Sequence, residues 1–243
     1  MLFNRAFFKQ LKETVQIRRA EIQDAGDIAR IQREAFSETI HHYLGSRERN
    51  RGNVVSLTDR LYLLITKAMK DEIFIAEVDG KVVGNIIVPY DIELTSRTMP
   101  GYGVFWLAMA QALVTMTVVS NENRKALFAD RNYLSRFERF NIRKEIPSRI
   151  FNLAVDPEYQ GRRIGNALME KGMNYLFTER GTSAVTLNVM AQNVRAVTLY
   201  RTCGFQEIKR VENSMGEWIV MVLTRENWLK LRRSQLPKKY STA

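Results

Sequence analysis

Apolar and polar positions alternate along the chain with two periods, one near 3.6 residues and one near 2, and the switches between them mark the elements. Residues 1–13 set Leu2, Phe3, Phe7, Phe8 and Leu11 against Arg5, Lys9 and Lys12, the pattern of a basic amphipathic helix. The charges inside that apolar stretch are unlike a secretory leader. Gln16–Arg19 reads as a strand. Asp24 then offers a helix N-cap, and Ile28, Ile31, Ala35 and Phe36 recur at helical spacing. Residues 37–58 are polar, rich in Arg, and hold both histidines, His41 and His42; 57–69 returns to a helical pattern. Strands over 72–78 and 81–89 flank Asp79-Gly80, and an Asp-Gly between apolar, β-branched runs is a strong hairpin signal.

Residues 91–148 break this rhythm. Their apolar part, 104–119, is 16 residues long, short of the roughly 20 that a membrane-spanning helix needs, and reads as a buried or surface-docking helix bearing Trp106. A basic helical run follows over about 122–144. The alternation then resumes: strand 149–155, a glycine-containing loop at 160–165, helix 165–180, strand 184–190, helix 193–203, and strands 206–212 and 217–223. Residues 225–243 are strongly basic. The pattern predicts one α/β domain over 15–225 with a helical insertion at 91–148, an N-terminal helix over 1–14 and a basic tail over 226–243.

Composition narrows the function classes. The 243 residues are 45% apolar and 26% charged, a globular balance. The single cysteine, Cys203, excludes a disulfide framework and a cysteine zinc cage, and two histidines leave little for a metal, so no metal cofactor is expected. Cysteine usage of this kind fits a reducing cytoplasm. Lys and Arg number 37 against 26 Asp and Glu, a net charge of +11 that should draw phosphate-bearing ligands, anionic membrane or nucleic acid. No RNP-like aromatic motif, zinc finger or helix-turn-helix supports nucleic acid. Residues 1–13 and 104–119 are candidate contacts with a second copy of the chain or with a membrane surface.

The chemistry-bearing stretch is 151–205. It runs strand (FNLAV), turn (DPEY), loop (Gln160-Gly161-Arg162-Arg163-Ile164-Gly165-Asn166), then helix. A glycine loop feeding a helix start aims unpaired N–H groups outward, and the helix dipole adds partial positive charge, which together suit a pyrophosphate. Arg162 and Arg163 can add charge-assisted bonds. No Gly-Lys-Ser/Thr follows and the GxGxxG spacing is absent, so neither an NTP loop nor a dinucleotide fingerprint is present.

The loop VDPEYQGRRIGNALM, followed about 25 residues on by Asn193-x-x-Ala196-x-x-Leu199-Tyr200-x-x-x-Gly204-Phe205, resembles the GCN5-related N-acetyltransferase (GNAT) family, in the flavour of ribosomal-protein N-terminal acetyltransferases. The resemblance is clear over 149–223 and looser over 16–90. It implies a mixed, mostly antiparallel sheet flanked by helices (α+β type), and acetyl-CoA as acyl donor to a primary amine on a small molecule, a protein N-terminus or a lysine. It implies that Leu153, Ala154 and Val155 offer backbone groups to the pantetheine arm on a strand splayed from the next. Gly161, Arg162, Arg163, Ile164, Gly165 and Asn166 would wrap the pyrophosphate. Asn193 would hydrogen-bond the pantetheine, and Tyr200 would protonate the leaving thiolate. From the residues alone, Tyr200 reads equally as a core aromatic and Asn193 as a helix N-cap.

Three departures stand out. Arg163 occupies a position where the family usually has glycine, and costs backbone freedom if φ is positive there. Asn188 stands where the ribosomal-protein type has a catalytic glutamate, so a base must come from Asp91, Glu93, His41, His42 or a water chain. The insertion 91–148 falls where the family has a short connection, and suggests a hydrophobic acceptor, a lipid-proximal surface, a dimer contact or extra core. Cys203 has no base in view, so direct transfer is expected over an acyl-cysteine. Two other readings stay open: a non-catalytic CoA- or polyanion-binding module, and a longer-chain acyltransferase at a membrane surface.

Overall fold

The computed structural model describes residues 15–44, 48–91, 99–101 and 145–235, with 112 and 125 as isolated positions. The expected N-terminal helix, most of the insertion, Glu93 and the end of the tail lie outside the described residues. Strand β1 (Gln16–Arg19) leads through a 3₁₀ turn into α1 (Ala25–Ala35), α2 (Ser37–Leu44) and α3 (Glu48–Ala68). Hairpin strands β2 (Ile73–Val78) and β3 (Lys81–Ile87) follow, then β4 (Asn152–Val155) and α4 (Ile164–Asn174). The chain closes with β5 (Ala184–Met190), α5 (Val194–Thr202), β6 (Gln206–Asn213), β7 (Gly216–Thr224) and α6 (Arg225–Gln235).

Two sheets result, β1-β2-β3-β4 and β5-β7-β6, with every strand pair inside them antiparallel. Asp79 (φ +50°) and Gly80 (φ +79°) make the β2–β3 turn, as the dipeptide predicts. Pleating sends alternate β2 side chains to opposite faces, and both faces are covered. Ile73 and Ile75 join Ile28, Ile31, Ile65 and Met69 beneath α1 and α3. Phe74 and Ala76 join Leu168, Met169 and Met173 beneath α4. At about 1.5–3 kcal/mol for each large apolar side chain removed from water, these two layers hold the first sheet in place. α4 lies close on β3 because Gly172 has no side chain: a Cβ there would stand 3.0 Å from Ile86 Cδ1. The second sheet is backed by α5 and α6, where Tyr200 meets Phe205 edge-on and Phe177 stacks on a buried Trp228.

Four expectations need correction. Asp24 precedes α1 but does not cap it; its carboxylate accepts from Arg18 at 2.7 and 2.9 Å and from the Glu21 N–H at 2.7 Å. Burial alone would raise that carboxyl, but the Arg18 bonds outweigh it and hold the group below its usual range. The helix expected at 57–69 begins at Glu48, and Ser37–Leu44 is helical too. The helix expected over 165–180 ends as a π turn, Tyr175–Glu179, before Gly181 at φ +69°. Within the basic run after 225, Arg225–Gln235 is a helix anchored by Trp228.

Candidate functional site

The site begins where two strands part. Ile150 N–H donates to Thr186 O at 2.9 Å and Thr186 N–H to Ser148 O at 3.1 Å, joining the approach to β4 with β5 in parallel. Arg149↔Thr186 is the one bridge between the two sheets among the described residues. β5 is paired with β7 on its other edge along its whole length, and beyond the bridge one edge of β4 has no strand partner among the described residues.

A bulge decides which groups line that edge. Phe151 N–H donates to Ile87 O at 2.9 Å, yet Asn152 is the residue in register with Ile87, so two β4 residues oppose one on β3. The extra residue shifts the alternation by one. Ala154 and Asp156 then bond toward β3, and the N–H and C=O groups of Leu153 and Val155 point to the open side. The Val155 carbonyl already accepts from Gln160 Nε2 at 3.1 Å.

The loop after β4 is launched by Asp156. Its Oδ1 accepts from the Glu158 N–H at 3.1 Å, and its Oδ2 lies 2.9 Å from Arg30. Burial pushes this carboxyl up, but the Arg30 bond and the Glu158 N–H outweigh it and keep it ionised below the usual range. Gly161 has φ +81°. Arg163 has φ +61° and precedes α4 in left-handed geometry, so the position does demand positive φ and an arginine fills it, at a cost of about 1–2 kcal/mol. Asn166 and Ala167 N–H groups both close on Arg163 O. The amides before them open the helix, where its dipole favours an anion.

Strand, loop and helix α5 enclose a cavity of about 450 Å³. Leu153, Ala154, Val155, Gly161, Arg163, Ile164, Gly165, Asn166, Asn193 and Tyr200 all line it. Arg162 does not; its guanidinium lies 4.8 Å over the Tyr159 ring, and Nη2 donates to Glu158 O at 3.4 Å. Arg195, which no motif singled out, does line the cavity and bonds Gln160 Oε1. Ala35 and Phe36, at the junction of α1 and α2, form part of the wall.

Tyr200 is 8% exposed, and burial pushes its hydroxyl up to about 12, so it stays protonated through the neutral range. No hydrogen bond engages that hydroxyl among the described residues. Asn193 is an N-cap: its Oδ1 accepts from the Ala196 N–H at 3.1 Å while the residue faces the cavity. Cys203 is buried, and burial pushes its thiol to about 12, which makes it a poor nucleophile. On α2, His42 Nε2 lies 2.7 Å from Ser214 Oγ in the β6–β7 turn, so it ties that helix to the second sheet. The His41 side chain lies outside the described residues. Asp91 closes the described end of the β3 extension.

The chain belongs to the acetyltransferase (GNAT) family, which it matches over residues 28–205. It is 33% identical over 93 residues to the [ribosomal protein bS18]-alanine N-acetyltransferase of Escherichia coli K12, covering 37% of this chain and 62% of the relative's length. It is 25% identical over 199 residues to an uncharacterized N-acetyltransferase of Archaeoglobus fulgidus, covering 82% of this chain and 96% of that one. The solved structure of yncA from Salmonella typhimurium, determined with its cofactor acetyl-CoA, shares the fold with a TM-score of 0.51 at 15% identity, over 87% of this chain and 94% of the other. Among the described residues, no helix is long and apolar enough to cross a membrane.

Proposed function

We propose that the protein is an acetyl-CoA-dependent N-acetyltransferase that moves the acetyl group directly to a primary amine. The observation that carries this reading is the cavity joining the open edge of β4, the loop at the start of α4 and Tyr200. The loop amides and Arg195 suit the pyrophosphate of acetyl-CoA. The open N–H groups of Leu153 and Val155 suit the pantetheine amides and the thioester carbonyl. Family membership and the acetyl-CoA in the yncA structure support the same donor.

In this mechanism, a β4 N–H group hydrogen-bonds the carbonyl oxygen as negative charge develops on it. Tyr200 gives its proton to the departing sulfur. The N–C bond forms as the C–S bond breaks, and the proton shed by the amine replaces, through solvent, the one Tyr200 has given. Cys203 takes no part. Asn188 on β5 offers no basic atom, so the acceptor must arrive as the free amine or lose its proton to another group. An α-amine, with a usual pKa of about 8, meets that demand more readily than a lysine at about 10.4. The ribosomal-protein relative, whose name specifies an alanine acceptor, supports an N-terminal α-amine as the acceptor class.

The test is release of free thiol from acetyl-CoA against a panel of α-amino peptides, lysine peptides and polyamines. Turnover with at least one amine supports the reading. Tight acetyl-CoA binding with no turnover on any amine leaves a coenzyme-binding module instead.

A further inference from the structure

Two buried amides and one half-buried amide meet between α1 and the first sheet. Gln32 of α1 is 2% exposed and Asn85 of β3 is fully buried, among Ile28, Ile31 and Ile87. Gln32 Nε2 donates to Asn152 Oδ1 at 2.7 Å and to Asn85 Oδ1 at 3.1 Å, and Asn152 Nδ2 donates back to Gln32 Oε1 at 2.6 Å. Gln32 and Asn152 thus pair through two reciprocal bonds. Asn85 Nδ2 has no partner among the described residues. An apolar layer holding two buried amides, one of them half-satisfied, is costlier than one filled with hydrocarbon. Stability alone does not account for it.

The position of Asn152 does. It is the second residue of the β4 bulge, and the next amide along the strand is that of Leu153, the first to face the open edge. A bulge can relax by sliding one residue, and such a slide would turn the Leu153 N–H toward β3 and away from the slot. A side chain bonded at two points to a helix and sharing its partner with β3 blocks that slide.

We propose that Gln32 and Asn152 are positioning residues, which lock the β4 bulge so that the Leu153 N–H is aimed at the thioester carbonyl. This rests on the acetyl-CoA reading above. Asn85 completes the lock by fixing the second Gln32 N–H. The pair touches no reacting atom; it acts through the backbone. Because Gln32 sits one turn before Phe36, the same lock sets α1 relative to the cavity wall.

The test needs no acceptor. Acetyl-CoA carrying ¹³C at the thioester carbonyl is bound to the full chain, and its carbonyl band is read by isotope-edited infrared spectroscopy. In the wild type the band should lie below that of free acetyl-CoA. The triple variant Gln32→Leu, Asn85→Leu, Asn152→Leu removes all the amides and leaves no orphan. Its band should return most of the way to the free position, with Kd for acetyl-CoA within about threefold of wild type. The exchange variant Gln32→Asn with Asn152→Gln, which keeps both amides and their combined reach, should recover the shift. If the triple variant fails to fold, Gln32→Glu keeps the shape, removes the Nε2 donor, and should move the band in the same way at neutral pH. A wild-type band in either folded variant overturns the proposal, as does an unshifted wild-type band with acetyl-CoA bound. Failure of the wild type to bind acetyl-CoA overturns instead the reading on which it rests.

Discussion

At one end of the β4–β5 seam the chain is bonded and polar; at the other it is parted and lined by backbone. At the bonded end, Arg149 N–H donates to Pro89 O, Ser148 Oγ donates to Tyr90 O at 2.6 Å, and Arg180 lies 3.6 Å over the Tyr90 ring. Beneath them Glu72, 6% exposed, accepts from the Tyr90 N–H at 3.2 Å. Burial pushes the Glu72 carboxyl up to about 7, with the Tyr90 N–H and Arg180 only partly opposing it. At the parted end, one bulge and one helix N-terminus replace all those bonds, and the freed backbone groups become the candidate binding edge. The difference teaches that the site is made by withholding strand pairing, and that the hinge of the opening is held by tightly bonded polar groups.

The comparison can be broken hardest at the parted end. Gly165→Glu places a charge where the pyrophosphate should sit; a Cβ there would meet Leu199 at 3.6 Å and Val155 at 4.0 Å, both ordinary contacts, so the fold should survive. Kd for acetyl-CoA, measured by calorimetry, should weaken by about 100-fold or more. Tyr200→Phe should lower kcat by roughly 100-fold while the coenzyme Kd stays nearly constant, because the ring packing against Phe205 remains. Unchanged turnover would remove Tyr200 as the acid.

The bonded end should report on stability instead. Glu72 holds its proton longer when folded than when unfolded, so stability should fall as pH rises from about 4.5 to about 7 and then level off. Glu72→Gln should abolish that slope and raise stability at pH 8 by about 1–3 kcal/mol, read as denaturant midpoints at pH 5 and pH 8. A slope retained in the variant would assign it to another group. Smallest of all, Arg163→Gly should relieve the left-handed backbone but free the unfolded chain, a net gain of about 0.5–1 kcal/mol in thermal unfolding.

What the sequence made legible follows the same division. The β2–β3 hairpin, the strand Ala184–Met190 and the loop into α4 are each written in neighbouring residues: Asp79-Gly80, a β-branched run, Gly161 before a helix start. Ten of the eleven site residues implied by the family resemblance line the cavity. Arg162 does not, because the Tyr159 ring beside it offers its face to the cation. The bulge was not legible, since it is a one-residue slip between strands far apart in the chain. Nor was the amide lock, whose partners are 53 and 120 positions apart, or the His42–Ser214 contact across 172. Arg195 enters the site only because α5 folds against the loop, bringing it to Gln160 35 residues earlier. Local turn chemistry is readable; pairings between distant polar side chains are not.

The central claim is that the parted end binds acetyl-CoA, and calorimetric titration of the purified chain with acetyl-CoA tests it most directly. The account predicts one site per chain with a dissociation constant on the order of micromolar, about −8 kcal/mol. No heat of binding up to about millimolar acetyl-CoA, the equivalent of roughly −4 kcal/mol, would contradict it.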